Sequence, residues 1–207
     1  GALRDMVQNH MLQLLALVAM EPPTSFDSTA VRDEKVKVLR ALRQVGVDET
    51  VTGQYRAGAV NGSPVPGYDE ELGRDSDTET FVALKAHVDN WRWQGVPFFL
   101  RTGKRMRRKL TQIVITFRPT PHVLFQPAEG EPARPPNRLI INVQPDEGIS
   151  LRFEGKVPGQ AMKIASAVMD FDFIEQFGGE SHEAYATLLL DAMQGDQALY
   201  KDRHEIE

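Results

Sequence analysis

Cysteine is absent from this chain of 207 residues, and its absence removes several kinds of chemistry at once. Without thiols there is no disulfide framework, no cysteine nucleophile and no zinc knuckle, which fits the reducing cytoplasm where we expect the protein. Long apolar runs are also lacking, and no stretch reaches the roughly 18 residues that suggest a membrane span. Asp5 and Asn9 interrupt the first apolar stretch, so it does not have the form of a signal peptide. We therefore expect no membrane partner.

An excess of positive charge is lacking too, because 24 Lys and Arg stand against 29 Asp and Glu. This net charge of −5 argues against a general nucleic-acid or acidic-membrane binder, so any basic patch must be local. The basic side chains concentrate in residues 101–109, RTGKRMRRK. That run contains no aromatic side chain to stack on bases, so we expect no nucleic-acid partner.

Several catalytic and ligand-binding motifs are missing as well. No Gly-x-Gly-x-x-Gly follows a strand, and there is no Gly-Lys-Ser/Thr phosphate loop, no His-Glu-x-x-His and no nucleophile elbow. The histidines, at positions 10, 87, 122, 182 and 204, are scattered without metal-ligand spacing. We expect no metal site and no dinucleotide-binding Rossmann domain in this chain.

Helical spacing of apolar residues occurs in three segments: 3–20, 28–39 and 183–200. Pro22 ends the first segment because proline can neither donate a backbone hydrogen bond nor continue the turn. Ser28 or Thr29 is the predicted N-cap of the second. Turn residues and polar side chains over 61–77 predict an exposed excursion.

Strand-like patterns dominate the middle of the chain, at residues 81–88, 96–100, 112–117, 138–143 and 149–153. No long helical pattern separates the last four, so a parallel sheet with crossover helices is disfavoured. We predict an α+β fold with a large, mainly antiparallel sheet and helices packed on one face. Residues 1–207 are predicted to form one domain, and we expect both ends to be truncations of a longer protein.

His10 is ambiguous from pattern alone. On an ideal helical wheel it lies in the stripe of Leu3, Met6 and Val7, where a histidine more often packs than reacts. Its pKa near neutrality would also suit proton abstraction from a hydroxyl group. Asp5 lies about 140° away on the same wheel, so the two are not expected to be helix neighbours.

The basic run 101–109 lies between two predicted strands and is predicted to be a hairpin loop. Its lysines would hold a phosphate by charge and hydrogen bonds, and Gly103 would permit close approach of backbone and ligand, although a solvated turn is about equally favoured. Gln144 begins a Pro- and Gly-containing turn, where plain turn chemistry is favoured over ligand contact. Trp91 and Trp93 are expected to pack on the sheet.

Seven short motifs, in order along the chain, resemble one known family. They are RDMVQNH at 4–10, VRDEKVKVL at 31–39, DTETF at 77–81, NWRWQGVPF at 90–98, LRTGKR at 100–105, QPDEG at 144–148 and KVPG at 156–159. Their order and spacing resemble the C-terminal, substrate-binding domain of glucose-6-phosphate dehydrogenase of a bacterial type, and the likeness covers nearly the whole chain.

The resemblance implies a role for five residues. His10 would be the general base that takes the proton of the sugar's C1 hydroxyl while hydride leaves C1 for NADP, giving 6-phosphogluconolactone. Asp5 would be a sugar-hydroxyl ligand, and Lys104, Lys109 and Gln144 would contact glucose 6-phosphate. The family also associates through its large sheet, which implies a homodimer.

The chain departs from the family pattern by lacking its N-terminal domain, which binds most of the NADP and supplies the aspartate that orients the histidine. We therefore expect the 207 residues alone to have no dehydrogenase activity. Leu110, Val114 and Asn142 are not basic, although Arg152 is, so the second, structural NADP site of mammalian members is expected to be absent. An alternative is a non-catalytic anion-binding or regulatory module on the same scaffold.

Overall fold

The computed structural model describes residues 1–60, 62–119, 134–159, 163–178, 184–196, 200–201 and 203–206. The chain divides into two compact units. The first unit is Gly1–Met106 together with Glu183–Glu207, and the second unit is Arg107–His182. The prediction that residues 1–207 form one domain stays a prediction.

Helices are present in all three predicted segments, together with short helices that the periodicity did not indicate. They are a π-helix Leu3–Met11, α1 Leu12–Ala19, α2 Ser28–Arg40, a 3₁₀ turn Val47–Glu49, α3 Tyr68–Leu72, α4 Phe173–Phe177, α5 Ala184–Gln194 and α6 Arg203–Ile206. The N-cap of α2 is Asp27, whose carboxylate accepts from the N–H groups of Thr29 and Ala30, both at 3.0 Å, so the prediction of Ser28 or Thr29 is wrong by one or two positions. Within the described part of the chain, no helix is long and apolar enough to cross a membrane.

The strands are β1 Thr50–Gly53, β2 Gly58–Val60, β3 Ser63–Val65, β4 Phe81–His87, β5 Pro97–Gly103, β6 Thr111–Thr116, β7 Arg138–Gln144, β8 Gly148–Lys156 and β9 Ile164–Asp172. Their neighbours all pair antiparallel, in the orders β1-β4-β5, β2-β3 and β6-β7-β8-β9. The α+β prediction is confirmed. Strands β1 to β3 were missed because strands of three or four residues give little alternation, and β9 was also missed although it is nine residues long.

The basic run 101–109 is not a hairpin loop, which corrects the prediction. Its first three residues complete β5, and β5 pairs with β4, whereas β6 belongs to the four-stranded sheet. The boundary between the two units falls inside the run, after Met106. Local turn signals identified a connection correctly but could not show which strands it joins.

The core of the first unit lies between the helices and one face of the three-stranded sheet. Along β4 every second side chain is buried, namely Val82, Leu84 and Ala86. The buried residues packed with them are Ala2, Val7, Leu15, Ala19, Val38, Val88 and Leu100. Trp93 packs against this core and donates to the Ala19 carbonyl at 2.9 Å, whereas Trp91 is fully exposed, so only one of the two tryptophans packs as predicted.

The second unit is built on its four-stranded sheet. Register aligns a row of apolar residues across all four strands, with Ile113 opposite Ile141, Ile141 opposite Ile149, and Ile149 opposite Phe171. Such cross-strand pairs are the unit of sheet stabilisation. Val168 and Met169 on the outer strand β9 are exposed, so this sheet presents apolar surface.

Candidate functional site

His10 lies on a π-helical segment, which the sequence pattern did not indicate. The N–H of Leu12 donates to the carbonyl of Val7, five residues earlier, where an α-helix would use the residue four earlier. In an i→i+5 helix each residue turns by less than the 100° of an α-helix, so residues five apart lie on the same side, as residues four apart do in an α-helix. Asp5 and His10 therefore lie on the same side of the helix, rather than about 140° apart as on the ideal α-helical wheel. Segments of π-helix are rare and often occur at functional sites.

The same change of register exposes the histidine. Val7 is 6% exposed, but Leu3 and Met6, its partners in the predicted stripe, are 47% and 40% exposed, and His10 is exposed with them. The prediction that His10 belongs to a core-facing stripe is thus wrong, because an ideal wheel of about 100° per residue does not describe a π-helix. The Asp5 side chain is 71% exposed as well. Both polar groups are accessible to a ligand.

Glu79 holds the beginning of the π-helix. Its Oε1 accepts from the N–H of Leu3 at 2.8 Å, and its carbonyl accepts from the N–H of Ala2 at 2.9 Å. The Leu3 N–H donor lowers the pKa of the Glu79 carboxyl from its ordinary value, so the carboxylate remains charged. The sequence contained Glu79 only as part of the DTETF motif, and no local signal pointed to its partner.

The other end of this segment is held from two directions. Lys35 Nζ donates to Gln13 Oε1 at 2.8 Å, and Lys201 Nζ donates to Asn9 Oδ1 at 2.9 Å. Burial lowers the pKa of the Lys201 ammonium group, although the nearby Glu205 carboxylate opposes this shift. The residues on either side of His10 are therefore tied to α2 and to the C-terminal segment of the chain.

Lys104 follows β5 directly, and its side chain is exposed. Its N–H donates to the carbonyl of Thr80 at 2.9 Å, which fixes the backbone at this point. A Cβ on Gly103 would lie 2.8 Å from the ring of Phe81 and 3.2 Å from the sulfur of Met106. Glycine is required here for close approach, as predicted, but the structure shows a neighbouring ring rather than a ligand as the reason.

Lys109 and Gln144 belong to the second unit. Lys109 is exposed, two residues before β6 begins, and Gln144 is exposed at the end of β7, opposite Thr111. The predicted turn after Gln144 is present, since β7 ends there and β8 begins at Gly148. Asp5, His10 and Lys104 lie in the first unit, so the convergence of all five residues on one ligand stays a prediction.

Metal chemistry has no evident support in the described ranges. No group of three or more His, Asp and Glu side chains there is arranged to hold a metal ion. His122 and His182 lie outside the described residues.

Comparison with known proteins identifies the class. Residues 1–207 match the family model described as glucose-6-phosphate dehydrogenase, C-terminal domain, and the chain belongs to this family. Among curated relatives, the glucose-6-phosphate 1-dehydrogenases of Rhizobium meliloti (strain 1021) and Mycolicibacterium smegmatis are 52% and 49% identical. These matches cover 100% of this chain but only 43% and 42% of the relatives, so the chain spans less than half their length.

Solved structures agree with the family assignment. A structure described as glucose-6-phosphate dehydrogenase in complex with its substrate glucose-6-phosphate superimposes with a TM-score of 0.86 at 37% identity, covering all of this chain and 42% of the other. Glucose-6-phosphate 1-dehydrogenase from Mycobacterium avium gives a TM-score of 0.82 at 37% identity, again over all of this chain and 41% of the other. At this identity and coverage the fold of the family is shared along the chain.

Proposed function

We propose that this chain forms the sugar-phosphate side of a glucose-6-phosphate dehydrogenase, which oxidises glucose 6-phosphate to 6-phosphogluconolactone, the first step of the pentose phosphate pathway. Hydride passes to NADP, which in this proposal is held mainly by the family's N-terminal domain, outside these 207 residues. The observation that carries the proposal is an exposed imidazole, His10, on a π-helical segment of a chain in this family. The substrate complex of a relative supports the choice of sugar phosphate.

In the proposed reaction, neutral His10 accepts the proton of the C1 hydroxyl as hydride leaves C1. Asp5 lies on the same side of the helix and accepts a hydrogen bond from a sugar hydroxyl. Because Glu79 holds the first turn and Asn9 is held by Lys201, this chain fixes the direction from which the imidazole meets the sugar. Bound NADP supplies the hydride acceptor.

The remaining three residues bind the substrate in this proposal. Lys104 and Lys109 offer ammonium groups to an anionic sugar phosphate, and the exposed Gln144 offers an amide to its hydroxyls. We further propose that the protein acts in the cytoplasm and forms a homodimer through the four-stranded sheet of the second unit. The exposed side chains of Met169 and Phe171, two residues apart on β9 and therefore on one face of the sheet, support this face as the contact.

The test is NADP reduction by the full-length protein and by its His10→Asn variant. We expect kcat to fall about 10²- to 10⁴-fold while KM for glucose 6-phosphate changes little, because a general base acts in the transition state. His204→Asn replaces another exposed histidine of the first unit and is the matched control. No sugar-phosphate-dependent reduction by the wild type would instead favour the non-catalytic module, and an active His10→Asn variant would remove His10 from the mechanism.

A further inference from the structure

Arg105, which follows Lys104, has an unusual backbone. Its φ is +53°, and it is the one non-glycine residue in the described ranges with a positive φ. Residues with a Cβ adopt this left-handed conformation at a cost, so it persists only where surrounding contacts hold it. Such strain concentrates at functional sites. The contacts that hold Arg105 are therefore informative about the loop that carries Lys104.

The side chain of Arg105 is held by two partners on the preceding part of the chain. Its Nη2 lies 2.9 Å from Glu71 Oε2, and its guanidinium carbon lies 4.9 Å from the centre of the Tyr55 ring. The Tyr55 hydroxyl donates to the same Glu71 oxygen at 2.7 Å. These two donors, Tyr55 first, lower the pKa of the Glu71 carboxyl, so it is fully charged at neutral pH.

These contacts close into a ring that includes Lys104. The N–H of Tyr55 donates to Thr80 Oγ1 at 3.0 Å, and the N–H of Lys104 donates to the Thr80 carbonyl at 2.9 Å. Thr80 is 2% exposed, so its position is fixed by the core. The path therefore runs from Lys104 to Arg105, then through Glu71 and Tyr55 to Thr80 and back to Lys104.

We propose that Arg105, Glu71 and Tyr55 are positioning residues that fix the direction of Lys104 and so set the affinity for the sugar phosphate. The inference rests on the substrate-binding role proposed for Lys104. It gives a function to the polar excursion at 61–77, since α3 supplies Glu71 as the central acceptor. It also explains why a strained backbone lies directly beside a substrate contact.

The test is a kinetic double-mutant cycle in the full-length protein. Tyr55→Phe removes one hydroxyl and keeps the ring, and we expect it to raise KM for glucose 6-phosphate about fivefold with kcat within about twofold. Glu71→Gln should raise this KM about tenfold because it disrupts a charge-assisted pair. Neither change should raise KM further in a Lys104→Ala background, because both act through Lys104.

Asp89→Asn is the matched control, because Asp89 also pairs with an arginine, Arg43, through two hydrogen bonds on another part of the first unit. It should leave KM unchanged. Thermal melting of each variant confirms folding, and Tyr55→Phe alone decides the matter if Glu71→Gln does not fold. A wild type without activity overturns the proposed function together with this inference. If the wild type is active, two results overturn only the inference. One is an unchanged KM in the Tyr55→Phe variant, and the other is a rise in KM on Tyr55→Phe that is just as large in the Lys104→Ala background.

Discussion

Replacing Lys35 by methionine is expected to destabilise the first unit more than replacing an exposed lysine would, because the Lys35 ammonium group balances a buried carboxylate. The Glu205 side chain has no exposed surface, and that of Lys35 is 9% exposed. Lys35 Nζ lies 2.9 Å from Glu205 Oε2. In the described part of the chain, neither oxygen of Glu205 has a hydrogen-bond donor in good geometry, so the compensation for this charge is ionic.

The magnitude follows from the burial of the pair. Removing one partner of a buried ion pair costs about 3–5 kcal/mol, because the other charge stays buried. Arg32 Nε remains 3.8 Å from Glu205 Oε1, and the Lys201 ammonium group also interacts with this carboxylate. Both keep part of the compensation, so we expect a loss of about 3 kcal/mol in the free energy of unfolding. With a urea dependence of about 2 kcal/mol per M, the unfolding midpoint falls by about 1.5 M. Methionine preserves most of the volume, so little of this loss comes from a cavity.

The assay is urea unfolding of the 207-residue chain, followed by the fluorescence of Trp93 in a Trp91→Phe background. Trp93 packs on the core of the first unit and Trp91 is fully exposed, so the remaining signal reports unfolding of that unit. Lys37→Met is the matched control, because this lysine of the same helix is 69% exposed and its pair with Glu34 is on the surface.

Two results would refute the reasoning about Lys35. One is a midpoint for Lys35→Met equal to that of Lys37→Met. The other is strict additivity in a Lys35→Met/Glu205→Leu double variant. In that case its loss of unfolding free energy would equal the sum of the losses in the two single variants. We expect the double variant to recover at least half of the lost stability, because it removes both buried charges together.

Two further predictions concern residues near the candidate site. Gly103→Ala should lower the free energy of unfolding by about 2 kcal/mol, because its Cβ would lie 2.8 Å from the Phe81 ring, and an unchanged melting temperature would argue against this contact. Glu79→Gln should cost about 0.5–1 kcal/mol at neutral pH through the weaker hydrogen bond to Leu3. Since the folded pKa of Glu79 is lowered, its contribution is fully present above the unfolded pKa and is lost as the pH falls through the folded pKa. Denaturation of wild type and variant across acidic pH should therefore show their stabilities converging, and a difference that grows on acidification would contradict this assignment.

The fold class could be read from the sequence because the main elements carry strong local periodicity. The alternation of β4 and the helical spacing of α2 were recognisable without tertiary information. Strands β1 to β3 could not be recognised in the same way, since they are only three or four residues long. Strand β9 has nine residues, but its apolar and polar side chains do not alternate regularly. The hairpin predicted for 101–109 was wrong for a related reason: a turn signal does not identify the strands that a connection joins.

The candidate site could be predicted from the sequence only through the order of the motifs that carry its residues. From its pattern alone, His10 favoured packing, and the π-helix reverses that interpretation by exposing the ring. Hydrogen-bond register within a helix is not encoded in the spacing of apolar residues, so no wheel could have detected the change. Arg105 belonged to the LRTGKR motif, but no local signal pointed to Glu71 or Tyr55, because these partners precede it by many residues in the chain.

Periodicity and motif order in the amino-acid sequence were thus sufficient for the α+β class and for the family, and the motifs also nominated the candidate site residues, whose roles stay predictions. The three-dimensional arrangement was required for the side of the helix that Asp5 and His10 share, for the buried pair of Lys35 and Glu205, and for the ring of contacts around Lys104. The reason is physical. Periodicity reports contacts between residues close in sequence, whereas these features depend on hydrogen bonds and ion pairs between segments that meet only when the chain folds.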